Sequence, residues 1–254
     1  MKNHHHVIPL ELNTQNIQDV ALVGVPSMFD SAPANDLIHT GWERATKRMT
    51  ERNWTFYDGP LLRFEGIEEI EGNVRIYVSR ANSYKQVVGL RAHEHEAFSH
   101  LQPHERPNAL STINIITTSD ERLLMRWRSS GDWDESYELS GGFVRTNEYS
   151  LLNSTLQRLT DDLSISQNEI VGQELLTIVH YPRILETMAV FGVRLNLTAD
   201  EVTARDHRYT KILHLPNTKE AWDDIKSELE KKDPPHMHPP SRTILDTILG
   251  SSQE

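Results

Sequence analysis

The feature that most constrains how this chain can fold is the stretch at residues 140–165, SGGFVRTNEYSLLNSTLQRLTDDLSI, where two glycines and a polar turn lead into a helical pattern. Four leucines recur at helical spacing and predict one buried stripe: Leu152, Leu156, Leu159 and Leu163. Polar side chains fall on or beside the opposite, open face: Gln157, Arg158, Asp161 and Asp162. We therefore expect a helix packed on a core, with any chemistry on its polar face.

Two short motifs in this stretch are candidates for a binding site. Gly141 and Gly142 predict a sharp turn that lets the backbone approach a ligand, although glycine pairs are also common in ordinary turns. Asp161 and Asp162 are neighbouring carboxylates on the predicted helix. A hard divalent cation takes several oxygen ligands of this kind, so the pair indicates either a metal or phosphate site or a solvated helix end.

A basic strand precedes the glycines. Residues 110–118 and 122–128 predict two strands joined by a polar turn. Alternation places Arg126 and Arg128 on the same face of the second strand. That face predicts a phosphate-binding role for at least one arginine, and an outward-facing strand edge is the alternative.

In this order the motifs resemble the signature of the Nudix family, which reads glycine, loop, glutamate and then a helix with the pattern Arg-Glu-aliphatic-any-Glu-Glu-any-Gly-aliphatic. Gly141 and Gly142 match the glycines, Glu148 matches the loop glutamate, and residues 157–165 match the helix. The resemblance implies a metal-dependent enzyme in which a metal-bound water attacks a diphosphate. It extends over about residues 110–216.

The resemblance also implies roles for individual residues. Asp161 and Asp162 would be the catalytic residues and, together with Glu148, the ligands of a Mg²⁺ or Mn²⁺ ion. The residues that contact the substrate would be Arg126, Arg128, Gly141 and Gly142. The substrate would be a small molecule of the nucleotide-diphosphate type.

The chain departs from the Nudix pattern where the chemistry matters most. Arg158 brings a positive charge to a position where a metal ligand is expected, and its spacing also allows it to pair with Asp162. Asp161 and Asp162 replace a glutamate pair, which withdraws each carboxylate by one methylene, and Ser164 replaces the glycine after the helix. These departures predict a metal site that is weaker, rearranged or absent.

Composition limits the remaining classes of function. The 254 residues carry a formal net charge of −11, which argues against a broad nucleic-acid surface. The chain has no cysteine, so disulfides, thiol nucleophiles and Cys-zinc sites are excluded. No apolar run approaches the length of a membrane span and the N-terminus lacks a hydrophobic signal core, so we expect no membrane partner and a cytoplasmic location.

The predicted fold class is α/β, a Nudix-type α/β/α sandwich with a mixed sheet, preceded by a small α+β N-terminal extension. Pro103 and Pro107 interrupt the chain between the two. We therefore predict an extension at residues 1–107 and a Nudix-like domain with C-terminal helices at residues 108–254. The extension is similar to that of the Nudix subgroup that acts on uridine-diphosphate sugars.

Several elements of the extension and of the C-terminal segment follow from local patterns. Residues 34–52 predict a helix, residues 61–78 predict a hairpin, and residues 85–90 predict a further short strand. Near the C-terminus, His236 and His238 lie in a proline-rich segment and are interpreted as solvent-facing.

Two functions stay open at this point. The first is a divergent, metal-dependent Nudix-type phosphohydrolase that cleaves a diphosphate linkage in a nucleoside-diphosphate-linked small molecule. The second is a catalytically lapsed Nudix-like module that binds a nucleotide or a protein partner, and its main support is Arg158 at a ligand position. The resemblance allows a homodimer and leaves the oligomeric state open.

Overall fold

The structure is a computed structural model that describes residues 8–10, 19–54, 58–128, 135–148, 150–205, 211–232 and 236–250. Two compact units divide the chain. The first unit comprises Met1–Thr112, Gly142–Ser154 and Leu175–Ala189, and the second comprises Ile113–Gly141, Thr155–Glu174 and Val190–Glu254. The division at residue 107 that the sequence predicts stays a prediction.

Strands and helices are mixed along the chain. The strands are β1 (Ile8–Leu10), β2 (Asp19–Gly24), β3 (Pro60–Ile70), β4 (Asn73–Ser83), β5 (Ala109–Thr117), β6 (Arg122–Arg128), β7 (Ser136–Glu138), β8 (Ser140–Phe143), β9 (Ile170–Tyr181), β10 (Glu186–Leu195) and β11 (Ile212–Pro216). The helices are α1 (Asn35–Glu51), α2 (Tyr84–Arg91), α3 (His95–Phe98), α4 (Leu151–Leu163), α5 (Ala199–Thr203), α6 (Lys219–Glu230) and α7 (Pro239–Gly250). This content, together with parallel and antiparallel strand pairs, confirms the α/β class with a mixed sheet.

In the first unit, β4 lies between two neighbours of opposite direction. It runs parallel to β2 and antiparallel to β3, and β3 also pairs antiparallel with β5. Val74, Ile76 and Val78 of β4 are all buried, as the alternation of a strand requires when one face packs on a core. The hairpin predicted at residues 61–78 is confirmed, and its strands are longer than the sequence indicates.

Two glycines allow α1 and α2 to cross closely in the first unit. A Cβ atom added to Gly41 would lie 1.9 Å from the carbonyl oxygen of Gly89. A Cβ atom added to Gly89 would lie 2.4 Å from the carbonyl oxygen of Ile38. Both distances are far below van der Waals contact, so the crossing requires glycine on each helix.

The strand predicted at residues 85–90 is wrong, because α2 occupies these positions. A capping box begins the helix: Ser83 Oγ accepts a hydrogen bond from the Gln86 backbone N–H, and Gln86 Oε1 accepts one from the Ser83 backbone N–H at 2.7 Å. The backbone N–H of Lys85 donates to Asp58 Oδ1 at 2.8 Å. The cap and the packing on α1 determine a helix at these positions.

In the second unit, β6 pairs with three other strands. It pairs antiparallel with β5, β7 and β11.

The helices α6 and α7 also belong to the second unit. Thr218 caps α6 by accepting a hydrogen bond from the Ala221 backbone N–H, and Trp222 Nε1 donates to Asp246 Oδ1 of α7 at 2.8 Å. Among the helices that the structure describes, none is long and apolar enough to cross a membrane.

Candidate functional site

The buried face of α4 is turned by about one residue from the predicted leucine stripe. Leu151 and Leu159 are fully buried, whereas Leu152 is 39% exposed. Asp162 is only 3% exposed, so its predicted position on or beside the open face is wrong. Residues 151, 155, 159 and 162 share one face of a helix with 3.6 residues per turn, which explains why a carboxylate joins the leucines on the buried side.

Asp162 is bound by Arg126, which reaches it from β6 of the same unit. Arg126 Nη1 donates to Asp162 Oδ2, and Arg126 Nη2 donates to the carbonyl oxygen of Gly141 at 3.1 Å. The same Nη2 lies 2.9 Å from Glu138 Oε1. Ser140 Oγ donates to Asp162 Oδ2 at 3.3 Å. The guanidinium therefore lies among three oxygen atoms, two of them from carboxylates, in the interior of the second unit.

Glu138 of β7 contacts both arginines of β6. The antiparallel register places it directly opposite Arg126, and Glu138 Oε2 lies 2.7 Å from Arg128 Nη1. Burial by itself raises the pKa of Glu138, but attraction from Arg128, Arg126 and His238 lowers this pKa to about 2. Glu138 is therefore an ionised, buried bridge, and the sequence reasoning missed it. Its signal was a glutamate in the short strand that precedes Gly141 and Gly142.

The start of α7 packs against the strand that carries Glu138. The backbone N–H of Leu139 donates to Ser241 Oγ at 3.0 Å, and the backbone N–H of His238 donates to the carbonyl oxygen of Tyr137 at 3.0 Å. His238 Nδ1 lies 2.9 Å from Ser241 Oγ. The interpretation of His238 as solvent-facing is wrong, because these contacts bury it.

Asp161 occupies a different environment from its neighbour. It is exposed on α4, and its Oδ1 accepts a hydrogen bond from Gln157 Nε2 at 2.6 Å, one helical turn earlier. The two adjacent aspartates, predicted to act together, thus differ: Asp162 is buried against an arginine and Asp161 faces outward beside a neutral amide.

Glu148 and Gly142 belong to the first unit. Glu148 Oε2 accepts a hydrogen bond from Ser154 Oγ at 2.6 Å, which ties the loop before α4 to the first turn of that helix. Gly141 and Gly142 both lie in strand β8, so the sharp turn predicted at these glycines is wrong. The carbonyl oxygen of Gly141 contacts Arg126. The roles that the sequence gives to Glu148 and Gly142 stay predictions.

Comparison with solved structures finds similar folds in several bacterial proteins. A MutT/Nudix family protein from Listeria innocua has a TM-score of 0.39 at 15% identity, with 57% of this chain and 94% of that chain covered. The Nudix domain of Shewanella oneidensis NrtR, complexed with ADP ribose, has a TM-score of 0.39 at 14% identity, with 61% and 95% covered. A bifunctional NMN adenylyltransferase/ADP ribose pyrophosphatase from Francisella tularensis, complexed with AMP and a Mn ion, has a TM-score of 0.43 at 14% identity.

The fold is similar to that of Nudix proteins. The chain covers 45% of the Francisella protein, and 62% of this chain takes part in that match. No protein-family model matches the chain, and no curated protein sequence matches it.

The side chains of this site do not fit the Mg²⁺ or Mn²⁺ ion that the sequence resemblance implies. Within the described ranges, no group of three or more His, Cys, Asp or Glu side chains is placed to hold a metal ion. The carboxylate of Asp162 is bound by a guanidinium, and a divalent cation beside Arg126 would meet a like charge. Arg158 stands where the Nudix pattern calls for a ligand.

The depressed pKa of Glu138 predicts acid-sensitive stability. The pKa of Glu138 is lowered from its ordinary value of 4.5 to about 2, so the ionised form stabilises the folded state above about pH 4.5. This contribution is lost as the pH falls towards 2. We expect urea unfolding to show a shallower acid loss of stability in Glu138→Gln than in the wild type. The exposed Glu228→Gln should leave the acid slope unchanged. An unchanged slope in Glu138→Gln would contradict the prediction.

Proposed function

We propose that this chain is a Nudix-like module that binds its ligand without hydrolysing it. The observation that carries the proposal is the buried contact between the guanidinium of Arg126 and the carboxylate of Asp162, the residue predicted to be a catalytic metal ligand. The contact neutralises the charge that would attract a divalent cation. Without that cation, the site lacks the group that would activate water and neutralise a diphosphate.

The ligand in this proposal is a nucleoside-diphosphate-linked small molecule, the class that the sequence resemblance implies, with a protein partner as the alternative. Of the two arginines predicted to bind phosphate, the side chain of Arg128 is 30% exposed and that of Arg126 is 9% exposed. Arg128 is therefore better placed to meet a ligand from solvent. A cytoplasmic location belongs to the same proposal.

A divergent metal-dependent phosphohydrolase is the second candidate, and the position of Asp161 favours it. Asp161 is exposed and its contact with Gln157 is to a neutral amide, so its negative charge is not cancelled by that partner. In this candidate Asp161 would hold the ion, while Asp162 would support the fold.

Hydrolysis assays distinguish the two candidates. We expect the purified protein, with Mg²⁺ or Mn²⁺ and a panel of nucleoside-diphosphate sugars and dinucleotides, to give no turnover above a protein-free blank. Calorimetric titration of the same compounds should detect binding, weakened by Arg128→Ala. Metal-dependent turnover that disappears in Asp161→Asn would overturn the proposal and support the hydrolase.

A further inference from the structure

On the basis of the function proposed above, we infer that the guanidinium of Arg126 is a built-in substitute for a divalent cation in an oxygen-lined site of the second unit. The site is formed by Asp162 of α4, Glu138 of β7 and the carbonyl group of Gly141 in β8. The chain thus carries its own positive charge where the resemblance implies a bound ion.

The atoms around Arg126 are those that a hard cation takes as ligands. Asp162 Oδ2 and Glu138 Oε1 are carboxylate oxygens, and the oxygen of Gly141 is a backbone carbonyl. Mg²⁺, Mn²⁺ and Ca²⁺ bind such oxygen atoms in proteins. Because the three groups come from three different elements, their convergence on one cation also holds those elements together.

Burial makes a positive charge necessary at this position. The side chains of Asp162 and Glu138 are 4% and 6% exposed, so water screens their mutual repulsion only weakly. Removing both charges from water is unfavourable unless an opposite charge lies close to them. Arg126 supplies that charge at any concentration of free metal ion, and Arg128 supplies a second one at Glu138.

Two further buried polar residues lie on the strand next to β6 and on α4, the helix that carries Asp162. The pairing of Ile116 with Leu124 places Asn114 on the same face of the β5–β6 pair as Arg126, and Thr155 lies two turns before Asp162 on α4. Asn114 and Thr155 are fully buried. Among the described residues, neither amide atom of Asn114 nor the hydroxyl of Thr155 has a hydrogen-bond partner. The amide of Asn114 is therefore a buried polar group on the sheet face that carries Arg126, with no hydrogen-bond partner among the described residues.

The test replaces the arginine and offers an ion in its place. Arg126→Ala removes the guanidinium and keeps all three oxygen groups, so we expect this variant to bind Mn²⁺ in calorimetry. We expect the wild type not to bind Mn²⁺ at these residues. Mn²⁺ at about a hundred times its Kd should raise the thermal midpoint of Arg126→Ala by roughly 5–10 °C. Asp162→Asn added to Arg126→Ala should abolish this response.

Matched variants and a folding measurement keep the test decisive. Arg128→Ala removes the other arginine at Glu138 and should gain no response to Mn²⁺, and Arg126→Lys keeps a positive charge and should gain none either. If Arg126→Ala is unfolded without metal, circular dichroism should show that Mn²⁺ restores its helices.

Two outcomes would overturn the inference. The first is an Arg126→Ala variant that shows no Mn²⁺ response in calorimetry, thermal midpoint or folding. The second is a wild-type protein whose Mn²⁺ response disappears in Asp162→Asn. Hydrolysis that depends on Asp161 would refute the proposed function alone, so the two failures can be told apart.

Discussion

Asp162→Ala is expected to lower the free energy of unfolding by about 3–5 kcal/mol, because it takes a carboxylate away from a buried guanidinium. The side chains of Arg126 and Asp162 are 9% and 4% exposed, so water cannot replace the lost partner fully. Glu138 keeps its contact with Arg126, which places the expected value near the lower end of that range. Urea unfolding at neutral pH measures the loss.

The adjacent aspartate is the matched control. Asp161→Ala removes the same group from an exposed position and should change the free energy of unfolding by no more than about 0.5 kcal/mol. Adding Arg126→Met to Asp162→Ala should recover part of the loss, since the charge left behind is removed. Equal losses in the two aspartate variants would show that the buried contact with Arg126 is not what stabilises this region.

Gly41→Ala is expected to lower the free energy of unfolding by about 3 kcal/mol, the upper part of the usual range for overpacking. Alanine in a helix interior favours stability by up to about 1 kcal/mol over glycine, so the loss must come from the crossing of α1 and α2. The added Cβ would lie 1.9 Å from the carbonyl oxygen of Gly89 and 2.8 Å from its carbonyl carbon. Because these are backbone atoms, a change of side-chain rotamer cannot relieve the overlap.

A glycine in open space provides the comparison. A Cβ added to Gly24 would meet nothing within 4 Å, so Gly24→Ala should leave the free energy of unfolding within about 0.5 kcal/mol of the wild type. Thermal unfolding followed by circular dichroism measures both variants. A Gly41→Ala protein as stable as Gly24→Ala would mean that the two helices separate without loss.

Elements whose signals lie within a few residues could be predicted from the sequence. The strands β5 and β6 and the helix α4 follow from alternation and a 3.6-residue period, and they occur in the predicted order. The turn predicted at Gly141 and Gly142 is wrong, because both glycines lie in strand β8. The prediction failed at α2, because a strand was predicted at residues 85–90. The helix forms because of a local capping box and because it packs against α1, which is distant in the chain.

Local patterns in the sequence were enough to predict that a carboxylate-bearing helix follows a pair of glycines and that two arginines lie in a nearby strand. Only the tertiary structure decided that Asp162 faces inward and meets Arg126, which lies 36 positions earlier in the chain. Leucines on several sides of α4 leave its helical phase undetermined by about one residue. That phase decides whether Asp162 is exposed to solvent as a possible ligand or buried in an ion pair. The contact between Arg126 and Glu138 depends in the same way on the register of β6 and β7, which is set by packing and strand pairing beyond any local pattern.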